Sequence, residues 1–395
     1  MYCFWLIVFW SSVFIVCYTY VGYAAALWLM VKIKEAIKGK PVLPAFEDYP
    51  EVTLMVAAYN EKDIVGAKMK NTLELEYPKD RLKIVWVTDG SDDGTPELLL
   101  QYPEVTVYHR PERAGKIEAM NCGVKLSTTP IIIFSDANTM LGKESIRRIV
   151  HFFADPKVGC VSGEKRIFSK EKDTAAGAGE GLYWKYESFQ KRYDARLYSV
   201  VGAAGELFAI RRELFAEVER DTLLDDFIIS LRIAMRGYIT QYDPDAYAYE
   251  TSSVNVKEEL KRKVRIAAGG FQSMVRLAPL LNIFRYGILS FQYISHRLLR
   301  WTLAPLCLLL LLFSNFMLSW QTGIFVCGFF SVVFWLQALF YTMALLGWFL
   351  ENRHIKLKIL FVPYYFFIMN LSVYLGFFRY LKKTQDVNWE RARRR

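Results

Sequence analysis

The uncharged run from Met1 to Val31, dominated by Leu, Ile, Val, Phe, Trp and Tyr, limits what this chain can become. A membrane-crossing helix needs about 20 such residues, and this run has length to spare for tilt. It shows neither the basic start nor the small-residue cleavage site of a secretory leader, so it reads as a retained helix. A second uncharged stretch, Trp301 to Leu350, is divided by Gln321, Thr322 and Gly323 into two further spans. Residues 359–378 form another apolar block. Blocks of this length without a charge describe an integral membrane protein rather than buried core helices.

The charge distribution separates the soluble part from its flanks. The 395-residue chain carries a net charge of +10. Residues 32–40 contribute +3, 257–300 contribute +7, 351–358 contribute +2 and 379–395 contribute +5, which leaves −7 for residues 41–256. Basic residues beside apolar blocks face the cytoplasm, which places the middle of the chain there and points to the cell membrane. A nucleic-acid binder would carry its basic residues on the soluble domain, so an acidic middle argues against that partner. The six cysteines show no CxxC spacing and the four histidines are scattered, which indicates neither a disulfide framework nor a zinc site.

Between the apolar ends, strand and helix patterns alternate. VTLMVAA (52–58), KIVWVT (83–88), 105–109 and 131–135 read as buried strands, with helical spacing at 63–75, 96–101 and 116–126 between them. This is the pattern of a parallel α/β sheet of the nucleotide-binding kind. Residues 171–181 read as a small-residue loop, followed by an aromatic helix over 182–198. From Lys257 to Arg300 basic and apolar residues interleave as amphipathic helices on a membrane surface. The resulting division is 1–31 (first span), 32–50 (basic linker), 51–256 (catalytic domain), 257–300 (interface helices), 301–378 (spans) and 379–395 (basic tail).

Ligands of such sheets sit at the carboxyl ends of the strands, and polar clusters follow the strands here. Tyr59, Asn60 and Glu61 follow the first strand; Asp89 and Gly90 open the cluster after the second. Arg113, Ala114, Gly115 and Lys116 lead into a helix, where a cation and helix amides suit a diphosphate, although the P-loop pattern is absent. Asp136 and Asn138 follow a buried strand, and in an extended segment their side chains would point the same way and offer oxygens to Mg²⁺ or Mn²⁺. Asp225 and Asp226 open a helix, where crowding raises one carboxyl's pKa and lets it accept a proton. Arg262 and Arg265 stand on the basic stretch, positioned for a leaving diphosphate.

Taken in order, these residues resemble the membrane-embedded family-2 glycosyltransferases with a GT-A domain: the cellulose, hyaluronan and poly-N-acetylglucosamine synthases and the ceramide glucosyltransferases. The resemblance implies that Ala57, Tyr59, Asn60, Glu61, Asp89 and Gly90 hold the uridine and that Lys116 approaches the diphosphate. Asp136 and Asn138 match the metal-binding DxD; Asp225 and Asp226 match the end of the TED motif, with Asp226 as general base. Arg262 and Arg265 match the basic positions of (Q/R)xxRW, and Trp389 with Arg391 or Arg393 resembles the tail residues that cover the nucleotide. Gly202, Gly205, Glu206, Tyr183 and Trp184 would face the acceptor. The chain departs from the family at three positions: Asn138 for the second Asp, Leu224 for Thr, and Ile266 for Trp.

The expectation is therefore a GT-A α/β domain with interface and transmembrane helices that transfers a sugar from a UDP-sugar, with inversion, to a hydroxyl, using a divalent cation. Two acceptors stay open, a growing glycan in polysaccharide synthesis or a lipid reached from the bilayer. A nucleotide-sensing or scaffold protein without catalysis is the reading from another class. So few helices leave a wide channel to a homo-oligomer or a partner. Three full spans after a cytoplasmic domain would also put the basic tail outside, unless 359–378 is interfacial.

Overall fold

The computed structural model describes residues 1–39, 48–168, 175–251, 256–352 and 357–384. Its first helix is continuous over Tyr2–Lys38: α1 (Tyr2–Cys17) passes through a π turn at Tyr18–Gly22 into α2 (Tyr23–Lys38). At 1.5 Å per residue this helix is about 55 Å long, more than the roughly 30 Å of a bilayer core. The helix therefore does not stop at residue 31, where the sequence boundary was set. Its last turns carry Lys32, Lys34 and Lys38, and Lys34 Nζ donates to the carbonyls of Arg196 and Leu197 at 2.8 and 2.7 Å. A lysine capping another helix's last carbonyls complements the negative end of its dipole.

The soluble part is built in chain order from β1 (Val52–Ala58), α3 (Lys62–Leu73), β2 (Leu82–Asp89), α4 (Thr95–Leu99), β3 (Val105–Arg110), α5 (Lys116–Leu126), β4 (Ile131–Asp136), β5 (Met140–Leu141), α6 (Ser145–His151), β6 (Val158–Phe168), α7 (Ala175–Leu197), β7 (Leu207–Arg211), α8 (Asp225–Met235) and β8 (Ile239–Thr251). Among the described residues the sheet order is β3-β2-β1-β4-β7-β6-β8-β5. Strands β1 to β4 are parallel, as the strand-helix alternation implies. The sheet as a whole is mixed, which corrects the expectation of a parallel one: β7 runs antiparallel to both β4 and β6. Strand β7 is buried like its neighbours, and a strand covered on both faces has the same composition in either direction.

Alternate residues of the central strands feed two apolar layers. Val52, Leu54 and Val56 pack with Val65 and Met69 of α3 and Ile146 and Ile149 of α6; Met55 and Phe134 pack with Ile117, Met120 and Phe227 on the other face. Residues 175–181, read from sequence as part of a loop, are the first turns of α7.

The chain then forms α9 (Val256–Arg276), the short helices α10 (Ile283–Tyr286), α11 (Ile288–Tyr293) and α12 (Leu299–Trp301), and the long α13 (Leu303–Thr322), α14 (Phe329–Asn352) and α15 (Lys358–Leu381). A second π turn, Ile294–Leu298, joins α11 to α12. Among the described residues four helices are long and apolar enough to cross a membrane: Tyr2–Lys38, Leu303–Thr322, Phe329–Leu350 and Ile359–Leu381. Helix α15 packs most extensively on α9, where Gly376 lies so close to Ala267 and Ala268 that a Cβ on it would be 2.5 Å from the Ala267 Cβ. Its C-terminal end, at Phe377 and Tyr380, lies beside Phe271. The adjoining turn of α9 is bonded to the soluble part, since Gln272 Nε2 donates to the Asp221 carbonyl at 2.7 Å.

Candidate active site

The ends of β1 and β2 build one wall of the site. Asn60 adopts a left-handed φ of 52°, which Asn tolerates better than most residues. Its amide exchanges two hydrogen bonds with the Asp92 backbone N–H and carboxylate, at 3.0 and 2.8 Å, tying the two strand-end loops together. The Glu61 N–H donates to Thr95 Oγ1 at 3.0 Å. Asp89, expected to hold the uridine, accepts the backbone N–H groups of Ala114 at 3.0 Å and Gly115 at 2.6 Å. Its carboxylate thus holds the loop before α5 in place. At Gly90 (φ +68°) a Cβ would lie 2.7 Å from that of Arg113, so only glycine lets the two turns meet. Arg113 stacks its guanidinium 3.6 Å from the centre of the Tyr59 ring, on the rim of a small pocket also lined by Ala57, Ala58, Asp89, Lys116 and Asp136.

The first turn of α5 carries Lys116 into the centre. Its Nζ lies 2.8 Å from Asp136 Oδ1 and 3.4 Å from Asp225 Oδ2. Burial alone would lower this lysine's pKa, but Asp136 and Asp225 outweigh it and hold the ammonium well above its ordinary range. Beneath Asp136, Lys68 of α3 donates to Ser135 Oγ at 2.8 Å and to the Thr139 carbonyl at 2.7 Å. Burial pushes its pKa down to about 7, against the opposing charge of Asp136.

Asn138 does not continue the strand. Residues 137 and 138 form a turn closed by the Thr139 N–H on the Asp136 carbonyl at 3.3 Å, so the alternation used to align Asp136 with Asn138 does not apply. The Asn138 Oδ1 is nonetheless buried without a hydrogen-bond partner among the described residues. An orphaned buried oxygen beside a carboxylate suits a hard, oxygen-seeking cation. Among the described residues no group of three or more His, Cys, Asp or Glu could hold a metal ion, so Asp136 and Asn138 would supply two oxygens and diphosphate and water the others.

Asp225 and Asp226 form the first turn of α8. Burial, then the neighbouring Asp225 carboxylate, pushes the Asp226 carboxyl up to about 7 against the pull of Lys116. Gly205 leaves open the space before it, where a Cβ would sit 3.3 Å from Asp226 Oδ2. Gly202 (φ +90°) meets the Phe227 ring directly, with a Cβ there falling 2.3 Å from Cδ2. Gly202→Ala is therefore expected to destabilise the protein by about 1–3 kcal/mol through overpacking and left-handed strain. A lowered thermal midpoint of the purified protein checks this; an unchanged one contradicts it.

Helix α9 closes the site. Arg265 is within electrostatic reach of Asp225, Asp136 and Asp226, although burial lowers its pKa. Arg262, expected beside it, instead forms two 2.9 Å hydrogen bonds to Glu259 one turn earlier. Glu206 is ion-paired with Lys165, which also pairs with Glu250. Burial would raise the Glu206 carboxyl, but Lys165 prevails and holds it down at about 2. Tyr183 and Trp184 of α7 face Lys263, whose Nζ is 4.1 and 5.9 Å from their ring centres. Trp389, Arg391 and Arg393 lie outside the described residues. Sequence reading passed over Lys68 and Lys165; Lys68 was detectable as a lysine on the apolar stripe of α3, between Val65 and Thr72.

These features define a class: a GT-A α/β fold with Lys116 and Arg265 set among Asp136, Asp225 and Asp226, joined to helices long and apolar enough to cross a membrane. Residues 50–269 match the model of the glycosyltransferase like family 2, and the chain belongs to that family. It is 26% identical over 253 residues to the poly-beta-1,6-N-acetyl-D-glucosamine synthase of Staphylococcus aureus, covering 62% of this chain and 60% of that one. The match to the synthase of the same name from Staphylococcus epidermidis is 24% identical over 345 residues, 82% of this chain and 81% of the other. The fold is similar to that of the mannosyltransferase PcManGT from Pyrobaculum calidifontis, solved with GDP-Man and Mn2+. The TM-score is 0.69 at 22% identity, covering 95% of this chain and 99% of that one.

Proposed function

We propose that this chain moves a glycosyl group from a UDP-sugar to an acceptor hydroxyl with inversion, in the synthesis of a polysaccharide or another extracellular glycan. The reading is carried by Asp226: a half-buried carboxyl pushed up to about 7, beside the Lys116–Asp136 pair. In the transfer, Asp226 takes the acceptor's proton as the oxygen bonds to the anomeric carbon, while the bond from that carbon to the diphosphate breaks and UDP leaves. Lys116 and Arg265 meet the charge that develops on the diphosphate. A divalent cation held by Asp136 and Asn138 would add electrophilic stabilisation of the same phosphates. The synthase relatives and the Mn2+ bound to the mannosyltransferase support this reading.

Incubating membranes with radiolabelled UDP-sugars and separating lipid-soluble, polymeric and free label tests the proposal. Label in either of the first two fractions supports transfer; nucleotide binding with no product favours a sensing protein. The pH profile adds a second check. A base must be ionised to work, so kcat/KM is expected to rise about tenfold per pH unit below about 7 and level off above it. Asp225→Asn removes the neighbouring negative charge and is expected to shift this limb to lower pH. A limb that stays in place or moves up contradicts the pairing.

The basic face of α2 and α9 supports a cytoplasmic catalytic domain at the cell membrane. The end of α15 beside the anchored turn of α9 supports a tail on the same side. Protease accessibility of a tag after Arg395 tests that placement.

A further inference from the structure

Beside the active site lies a cavity of about 320 Å³ between α7, α9, the 297–301 segment and α15. Its lining includes Lys263, Arg297 and Arg300 and no carboxylate. The opposite wall is mostly apolar: Val362, Phe366 and Met369 of α15 line it, with Tyr365, Asn370 and Ser372 as its polar members. Carboxylates stand behind the cations. Glu187 is shared by Arg297 and by Arg300, the latter at 3.1 Å, and Glu259 lies 3.7 Å from Lys263 while also accepting from Arg262. The Arg300 Nε–H is buried and finds no hydrogen-bond partner among the described residues. Cations that share a cavity, one with an unsatisfied N–H, suit an anion.

The backbone is shaped for this cavity. Tyr20 comes from the first π turn and Arg297 from the second, and the two turns touch where Tyr18 Oη and Ser295 Oγ lie 2.8 Å apart. The Tyr20 carbonyl accepts from Tyr186 Oη at 2.8 Å. Single π turns inside helices concentrate at functional sites. The cavity also adjoins the chemistry: Ile266 lines it next to Arg265 of the active site, and Trp301 lines it while packing on Phe227, 5.5 Å between ring centres, the residue after Asp226.

We infer that this cavity binds the acceptor's anchor, a lipid phosphate or diphosphate, with the anion at Lys263, Arg297 and Arg300 and the hydrocarbon along α15. The inference rests on the glycosyl-transfer reading and names its acceptor class: a glycan carried on a lipid phosphate, its hydroxyl reaching Asp226 past Trp301. The apolar side chains of the α15 wall, Val362, Phe366 and Met369, suit a lipid tail beside the cations.

The test uses the purified full-length protein and a photoreactive long-chain alkyl phosphate, with the matching alcohol, inorganic phosphate and phosphatidylglycerol vesicles as competitors. The alkyl phosphate is expected to label the protein at least tenfold more strongly than the alcohol, without displacement by inorganic phosphate or phosphatidylglycerol. Met369→Trp, which fills the apolar end, and Arg300→Gln are each expected to cut labelling at least tenfold while UDP still binds. Equal labelling by the alcohol, full competition by phosphatidylglycerol, or undiminished labelling of both variants overturns the inference. The native protein separates the two readings: labelling by the alkyl phosphate in native protein that transfers no sugar from any UDP-sugar leaves the cavity standing and removes the transfer reading. Transfer to a water-soluble acceptor by protein that takes up no alkyl phosphate does the reverse.

Discussion

Asp226→Asn is expected to lower kcat by about 10²–10⁴-fold, the usual contribution of a positioned general base, while UDP affinity stays within about twofold. The substitution keeps size and hydrogen-bonding shape at the first turn of α8 and removes only the ability to take a proton. Its stability signature has the opposite sign. The folded carboxyl titrates near 7, above its ordinary range, so its contribution to stability is full at low pH and is lost as pH rises through about 7. The Asn variant is therefore expected to unfold no earlier than the native protein at pH 8. Unchanged turnover would remove Asp226 from the mechanism.

Asp136→Ala is expected to cost about 10²–10³-fold in kcat/KM, corresponding to several kcal/mol of charge stabilisation at the diphosphate. Two causes act together. The variant removes a carboxylate oxygen from the proposed metal ligands, and it deprives Lys116 of its 2.8 Å partner, leaving Asp225 at 3.4 Å. Titrating UDP binding against Mg²⁺ and Mn²⁺ distinguishes them: the variant should lose the metal-dependent increment in affinity. A variant whose nucleotide binding responds to metal like the native protein would take Asp136 out of the metal site. The surviving Lys116 would then account for any remaining affinity.

Several features were legible because they are local. Uncharged stretches mark membrane helices through transfer free energy alone, and the ends of β1, β2 and β4 carry polar residues where a parallel sheet presents its ligands. Other features were hidden because the partners of a side chain are set by the folded chain. Asp89 reads as a ligand-facing carboxylate, and the fold also gives it the 114–115 amides to hold. Arg262 and Arg265 read alike, and the fold adds Glu259, one turn earlier, as a partner of Arg262. Glu206 stands in a glycine-containing segment, and its ion-pair partner Lys165 comes from 41 residues earlier.

By itself the sequence determined the membrane helices, the α/β alternation and the order of polar motifs, since each depends on residues close in the chain. The tertiary structure alone decided the direction of β7, which composition does not encode, and the partners of each buried charge, which pair across long separations. It also decided the cavity under α9. Lys263, Arg297 and Arg300 are unremarkable in a basic amphipathic stretch, and they line one cavity only when α7 and the apolar α15 pack around them.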